Sequence, residues 1–261
     1  MFASERQNHI LGILREDKAV KVSELSSTFG VSEMTTRRDL LALERAGLLK
    51  RTFGGAVVAP NFFALQLSFA EKETVCAEEK TSIGLAAARL IRDGETVAFG
   101  ASTTTLQVVR HIGEVENLTV VTNAINIAME LANRPNIKLL VTGGSLRERS
   151  FALVGPFGEA MLGQIHINKL FLGATGISVE HGATTLDLLE AAMYKVMMQA
   201  AGEVIVVADH SKFGRVTLAP IAGIEEVTKI ITDTGIPAEY LQELRKRGVE
   251  VIVAEPQGQG G

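Results

Sequence analysis

From residue 96 to residue 253 the chain alternates short apolar runs with stretches of helical spacing, and no other feature limits its fold as strongly. Residues 96–99, 118–122, 137–141, 169–172, 204–208, 229–232 and 249–253 are apolar, rich in Val, Ile and Leu, and too short for helices. Residues 105–112, 125–132, 187–201 and 238–247 carry apolar positions at helical intervals. Strands that read as nearly continuous apolar runs are buried on both faces, so the pattern predicts a mainly parallel sheet with helices on both sides. In such sheets ligands bind beyond the carboxyl ends of the strands.

Four polar segments follow strands, and each has two readings. Ser102, Thr103 and Thr104, after Gly100 and Ala101, can offer hydroxyls and backbone N–H groups to a phosphate at a helix N-terminus, or can simply cap that helix. Asn123 can contact a ligand or serve as an N-cap. Gly143 and Gly144 precede Arg147, which can clamp a phosphate or remain solvated. Asp209 and Lys212, three apart, can bind a sugar hydroxyl and a phosphate or form a local ion pair. Their convergence at one sheet edge favours a site for a phosphorylated small molecule.

The first 56 residues follow different rules. Ser4, with Gln7 three residues on, reads as a capping box for a helix over about 4–16. Residues 20–22 suit a short strand. Ser23 reads as the cap of a second helix, with Leu25 and Phe29 inward and Gly30 ending it. Ser32 reads as the cap of a third, in which Val31, Thr36, Leu40 and Leu43 share one face. Met34, Thr35, Arg37 and Arg38 then occupy the front of that helix, where short polar side chains and Arg reach base edges in a major groove. The competing reading is that Arg37 and Arg38 only pair with Glu33 or Asp39. Residues 48–53 read as a hairpin arm turned by Gly54 and Gly55, with Lys50 and Arg51 against phosphates. This is a winged helix-turn-helix, and the expected partner is double-stranded DNA.

Charge supports the division. Residues 1–56 hold nine Lys and Arg against seven Asp and Glu, whereas the remainder holds 17 against 23, so a mildly basic head precedes an acidic body. Pro60 and Asn61 break the helical period, and residues 57–69 read as a linker, although Phe62, Phe63 and Phe69 are better docked than free. The sensor body is read over 70–254 and a tail over 255–261. A single cysteine, Cys76, excludes an internal disulfide. Without a signal peptide or a long apolar run, the reading is a cytoplasmic chain that does not enter a membrane. His9, His111, His166, His181 and His210 lack metal-ligand spacing, so neither metal nor cofactor is expected.

Ser32-x-x-Thr35-x-Arg37-Arg38-Asp39-Leu40, followed by Leu43-Glu44-x-x-Gly47-Leu48 and Gly54-Gly55-Ala56, resembles the DeoR-type winged helix-turn-helix of bacterial sugar-catabolism regulators. Thr36 departs from that pattern, which favours Ile or Val there, and is expected to soften the packing under the helix. The segments DGETVAFGASTTT, VVTNAINIA, VTGG, LVGP, KLFLGATGI, HGATT and DHSKFG resemble the DeoR-type sensor domain, whose fold is similar to ribose-5-phosphate isomerase and the CoA-transferase group. The resemblance implies a sugar-phosphate effector, with the Ser/Thr loop, Lys80, Asp209 and Lys212 at its site. SFALVGP and EHGATT are closest to regulators of amino-sugar or tagatose pathways. It also implies a homo-oligomeric repressor, dimer or tetramer, rather than an enzyme. The competing reading is a sugar-phosphate isomerase with a DNA-binding head. In the isomerase a D-G-A-D strand end carries acids where this chain has Leu172 and Thr175, leaving Glu190 as the one matching carboxylate. Glu190 and Lys195 read equally well as a surface pair.

Overall fold

The structure, a computed structural model, describes residues 3–45, 49–58 and 67–256. The chain divides into two compact units, Met1–Leu67 and Ser68–Gly261. No helix among the described residues is long and apolar enough to cross a membrane.

The first unit contains α1 (Ala3–Asp17), β1 (Ala19–Lys21), α2 (Val22–Phe29), α3 (Glu33–Arg45), β2 (Leu49–Thr52) and β3 (Gly55–Val58). Its core is aliphatic: Ile10, Leu14, Val20, Val22, Leu25, Leu40, Leu43 and Leu49 are all buried. The strands form one sheet in the order β1-β3-β2. Two expectations about caps are corrected. α1 already includes Ser4, and the Gln7 amide reaches Asp39 rather than a cap. α2 starts at Val22, with Lys21 at the N-cap and no side-chain cap bond, because β1 hands the chain directly to the helix; Ser23 lies inside its first turn. Gly30 ends α2 at φ 62, in the left-handed region that glycine favours.

The wing turns one residue earlier than read. Thr52 pairs with Gly55, so Phe53 and Gly54 form the tip, with Gly54 at φ 86. Gly55 has a different reason to be glycine. A Cβ there would lie 2.1 Å from the Val20 carbonyl oxygen, across the β1–β3 pairing. Val57 and Val58 belong to β3, so the first two residues read as linker are sheet. Leu48, Phe62 and Phe63, and residues 257–261 of the tail, lie outside the described residues.

The second unit is built on α4 (Phe69–Thr74), α5 (Ala77–Ala88), β4 (Thr96–Phe99), α6 (Thr103–Arg110), β5 (Leu118–Thr122), α7 (Ile125–Leu131), β6 (Ile137–Val141), β7 (Ser145–Arg147), β8 (Ala152–Val154), α8 (Pro156–Leu162), β9 (Ile167–Leu172), β10 (Gly176–Ser178), β11 (Gly182–Thr185), α9 (Leu188–Gln199), β12 (Ala201–Val207), β13 (Ala219–Ala222), β14 (Lys229–Asp233), α10 (Ala238–Lys246) and β15 (Glu250–Ala254). Seven strands, in the order β15-β14-β12-β9-β4-β5-β6, make one parallel sheet. They are the seven apolar runs. The order reverses between β4 and β9, where Phe99 and Phe171 stack with ring centroids 5.3 Å apart. β10, β11 and β13 form a small antiparallel sheet, and β7 and β8 a hairpin. The chain between α4 and α5 is broken at Val75 and Cys76, the latter in the left-handed region at φ 51. Phe69 is buried in the sensor core, edge-on to Phe151 at 5.2 Å, as a docked aromatic should be.

Candidate DNA-reading surface and effector site

Ser32 caps α3 as read: its hydroxyl accepts from the Thr35 amide at 3.2 Å and lies 3.0 Å from the Thr35 hydroxyl. That fixes the front of the helix. Met34 is exposed at 69%, Thr35 is half-buried, and Arg37 and Arg38 are exposed. Thr36 is buried, and its hydroxyl donates to the Ser32 carbonyl at 3.4 Å, so the unusual residue leaves no orphaned donor under the helix.

The three acidic neighbours have separate uses. Glu33 pairs with Arg37 at 2.6 Å. Glu44 holds Arg51 at 2.6 Å through Nε and accepts the Arg51 backbone amide at 2.8 Å. Arg51 therefore ties the wing to α3 and is only partly available to a phosphate. Asp39 pairs with neither Arg37 nor Arg38. It is buried against Arg6 at 2.7 Å, with Gln7 at 3.3 Å, and joins α3 to α1. Arg38 and Lys50 are exposed and have no ion-pair partner among the described residues.

In the sensor unit the candidate groups collect at the carboxyl edge of the parallel sheet. Ser102 is the N-cap of α6: it accepts from the Thr105 amide at 2.9 Å, and Thr105 donates to the Gly100 carbonyl at 2.7 Å. Thr103 and Thr104 are buried in the first turn. Space there is tight. A Cβ on Gly173, after β9, would lie 2.4 Å from Ser102, and one on Gly100 would lie 2.7 Å from Leu172. Asn123 is not the cap of α7, since Ala124 holds that position. It is fully buried, its amide donates to the Leu153 carbonyl at 3.2 Å, and its Oδ1 has no protein partner. Thr142, after β6, also has a buried hydroxyl without a protein partner. Gly143 is exposed, and Gly144, at φ 134, packs so closely that a Cβ would meet the Val154 carbonyl at 2.4 Å. Arg147 lies in β7 and pairs with Asp187, the N-cap of α9.

After β12, Asp209 is fully buried and accepts from the Ser211 amide at 3.1 Å, while Lys212 stands 3.5 Å from its Oδ2. Burial pushes the Asp209 carboxyl up, but Lys212, Ser211 and Lys80 outweigh it and hold the group below the usual carboxylate range. Lys80 differs from its expected role. It is buried, and its ammonium donates to the backbone carbonyls of Lys72 and Val75, where it closes the break between α4 and α5. Its charge still reaches Asp209.

Two groups link these clusters that the motifs did not mark as effector positions. Glu190, in the first turn of α9, accepts from the Ser150 hydroxyl at 2.5 Å and from Thr185 at 3.4 Å; Lys195 is exposed and apart from it. Burial pushes its carboxyl above the ordinary range, and Asp187 adds to that. Lys72, on α4, is within Coulombic reach of Glu190, Lys212 and Arg149. Glu190 was visible in the sequence only as a match to an isomerase base. Lys72 carried no signal, because the charges that act on it lie on separate elements. For isomerisation, Glu190 lacks support: Leu172 is packed in the core and Thr175 donates its backbone amide to Thr184.

Residues 6–61 match the DeoR-like helix-turn-helix domain, and residues 75–234 match the DeoR C terminal sensor domain. A protein of Escherichia coli O157:H7, named for transcriptional repression of an aga operon, is 37% identical over 96% of this chain and 93% of its own. The HTH-type transcriptional regulator GlpR of Haloferax volcanii is 36% identical over 97% and 98%, and the HTH-type transcriptional repressor GlcR of Bacillus subtilis is 34% identical over 98% and 98%. Among solved structures, a D-ribose-5-phosphate isomerase in complex with phospho-erythronic acid aligns over 52% of this chain and 54% of its own, with a TM-score of 0.40 and 17% identity. The matches at both ends, and relatives similar along nearly the whole length, place the chain in the DeoR family of helix-turn-helix transcriptional regulators.

Proposed function

We propose that the chain represses a carbohydrate operon in the cytoplasm and releases its operator when a phosphorylated sugar binds the sensor unit. Two or more copies, joined through their sensor units, would present paired reading helices to repeated half-sites. The observation that carries this reading is the carboxyl edge of the parallel sheet. There Lys212 stands 3.5 Å from the buried Asp209, Glu190 accepts from Ser150 and Thr185, and, past the ends of β5 and β6, Asn123 Oδ1 and the Thr142 hydroxyl lack a protein partner. A phosphate monoester carries nearly two negative charges at neutral pH, which the Lys212 ammonium can answer, and sugar hydroxyls match the unpartnered Asn123 Oδ1 and Thr142 hydroxyl. The effector would shift a population between operator-binding and released arrangements. The relative named for repression of an aga operon supports a repressor, and the SFALVGP and EHGATT segments favour an amino-sugar or tagatose derivative.

For DNA, the candidate contacts are Met34, Thr35, Arg37, Arg38 and Lys50, with Ser32 and Arg51 in positioning roles. Ser23 stays a candidate only for a backbone phosphate. The test is a thermal-shift screen of the full chain against sugar phosphates, followed by operator anisotropy with any stabilising compound. A hit that melts the operator complex supports the reading. A chain that binds operator and ignores every sugar phosphate refutes it. Lys212→Ala should bind operator normally and lose the response.

A further inference from the structure

We infer that Phe53, at the tip of the wing, is an apolar DNA contact that wedges into the minor groove beside the base pairs read by α3 and selects sequence there by how easily a base step opens. This rests on α3 as the reading helix. Among the described residues of the first unit, two large apolar side chains are exposed: Met34 at 69% and Phe53, whose ring is entirely in solvent. Met34 stands at the front of α3 and Phe53 at the tip between β2 and β3, so both lie on the two elements offered to DNA. Nothing in the turn asks for an aromatic. Thr52 pairs with Gly55 and Gly54 supplies the left-handed residue at φ 86, so position 53 suits the short polar residues that favour such tips. A bare phenyl ring leaves its apolar surface in water, and burial against a partner recovers that free energy.

The wing holds the ring in a fixed place. Just before it, the Glu44 carboxylate of α3 accepts from both the backbone amide and Nε of Arg51. Just after it, Gly55 is pressed against the Val20 carbonyl of β1. Arg37, Leu40 and Glu44 of α3 line a cavity of about 310 Å³ together with Thr52 and Gly54 of the wing, so the tip stands beside the reading helix. A four-residue strand extends about 13 Å, close to the roughly 12 Å width of a major groove. A wing rooted beside a helix in that groove therefore crosses the phosphate ridge and sets its tip at the adjoining minor groove. Lys50, exposed on β2, carries charge for the ridge. Phe53 cannot pair with a phosphate. Apolar side chains in the minor groove press between base steps, and pyrimidine–purine steps yield most readily, which makes the contact sequence-dependent without a base hydrogen bond.

The experiment uses the full chain and duplexes that it selects from a randomised pool, with one flanking adenine after another replaced by 2-aminopurine, whose fluorescence rises on unstacking. Wild type should raise the signal at one flanking step of each half-site and bind more tightly when that step is pyrimidine–purine. Phe53→Ala should lose both effects and weaken binding by about tenfold, as for re-exposing part of an aromatic side chain. Its dependence of log affinity on log salt should stay that of wild type, because no phosphate contact is lost. Lys50→Ala should do the reverse, flattening the salt slope by about one and keeping the flank preference. Phe53→Leu should retain most of the affinity, and thermal melting checks that each variant folds. Phe53→Ala that binds like wild type, or that flattens the salt slope as Lys50→Ala does, overturns the inference, and so does a wild-type complex whose flanking steps all stay stacked. Arg38→Ala is the control: if neither it nor Phe53→Ala alters sequence preference, the placing of α3 in the groove fails as well.

Discussion

Asp39→Ala tests the most consequential contact in the DNA-reading unit. Asp39 and Arg6 are 3% and 7% exposed, their atoms are 2.7 Å apart, and Gln7 adds a second bond to the carboxylate. Removing the carboxylate breaks a buried, hydrogen-bonded ion pair from one side, which costs roughly 3–5 kcal/mol. A unit of this size has a total stability of only about 3–10 kcal/mol, so the substitution removes a third or more of it. The expected result is a far-UV CD urea titration in which the first unit unfolds early and operator affinity collapses. Effector binding to the second unit should persist, because its core is separate. Arg6→Met combined with Asp39→Leu should recover much of the loss, since an apolar replacement for a buried pair is often neutral or better. An Asp39→Ala chain within about 1 kcal/mol of wild type, still binding operator, would refute the claim that this pair fastens α3 to α1.

The remaining predictions concern DNA, pH and salt. Arg38→Ala should cost roughly 1–3 kcal/mol of operator binding and relax its sequence preference, whereas Lys50→Ala should weaken all sequences evenly; equal sequence-blind losses in anisotropy would contradict base reading by Arg38. Glu44→Ala and Arg51→Ala should have similar effects, and the double variant should cost little more than either, because both act by placing the wing; additive losses would show Arg51 acting by itself. Glu190 has its folded carboxyl raised, chiefly by burial, so its contribution to stability is present below the ordinary carboxylate range and is lost as pH rises through the raised value. Glu190→Gln should therefore melt higher than wild type at neutral pH, with the margin closing toward pH 4; a margin that grows on acidification would reverse the assignment. Operator affinity should fall steeply with salt and effector affinity only weakly, since a partly buried site is screened less than a row of phosphates; equal slopes would place the effector at an open surface.

The sheet was legible because each of its strands is an apolar run, and burial on both faces leaves that mark in composition. The reading helix was legible for a related reason: Ser32 as cap and an apolar back at helical spacing are local facts. What stayed hidden depended on contacts between distant residues. Nothing local shows that Lys80 spends its charge on backbone carbonyls, that Arg51 answers to Glu44, or that Asp39 belongs to Arg6. The β7–β8 hairpin and the small sheet of β10, β11 and β13 were missed because three- and four-residue strands are too short to show a period. Glycine misled in the wing, where two adjacent residues looked like one turn. Only Gly54 turns the chain; Gly55 is there because β1 passes too close for a side chain.

Net charge misleads in a way that explains how one chain can serve two phosphate-bearing ligands. The body after residue 56 carries 17 cations against 23 carboxylates, and a long polyanion is repelled by such a surface. The same body places Lys212 beside the buried Asp209 at the carboxyl edge of the sheet, where strand ends lie so close that a single Cβ on Gly173 would collide with Ser102. The head solves the opposite problem. Its excess of positive charge is small, so its attraction for DNA rests on where the exposed Arg38 and Lys50 stand rather than on their number. In the homo-oligomer proposed above, pairing two heads would multiply a weak contact by effective concentration. The proposed effector would then release DNA by spoiling the spacing of two reading helices, without altering either.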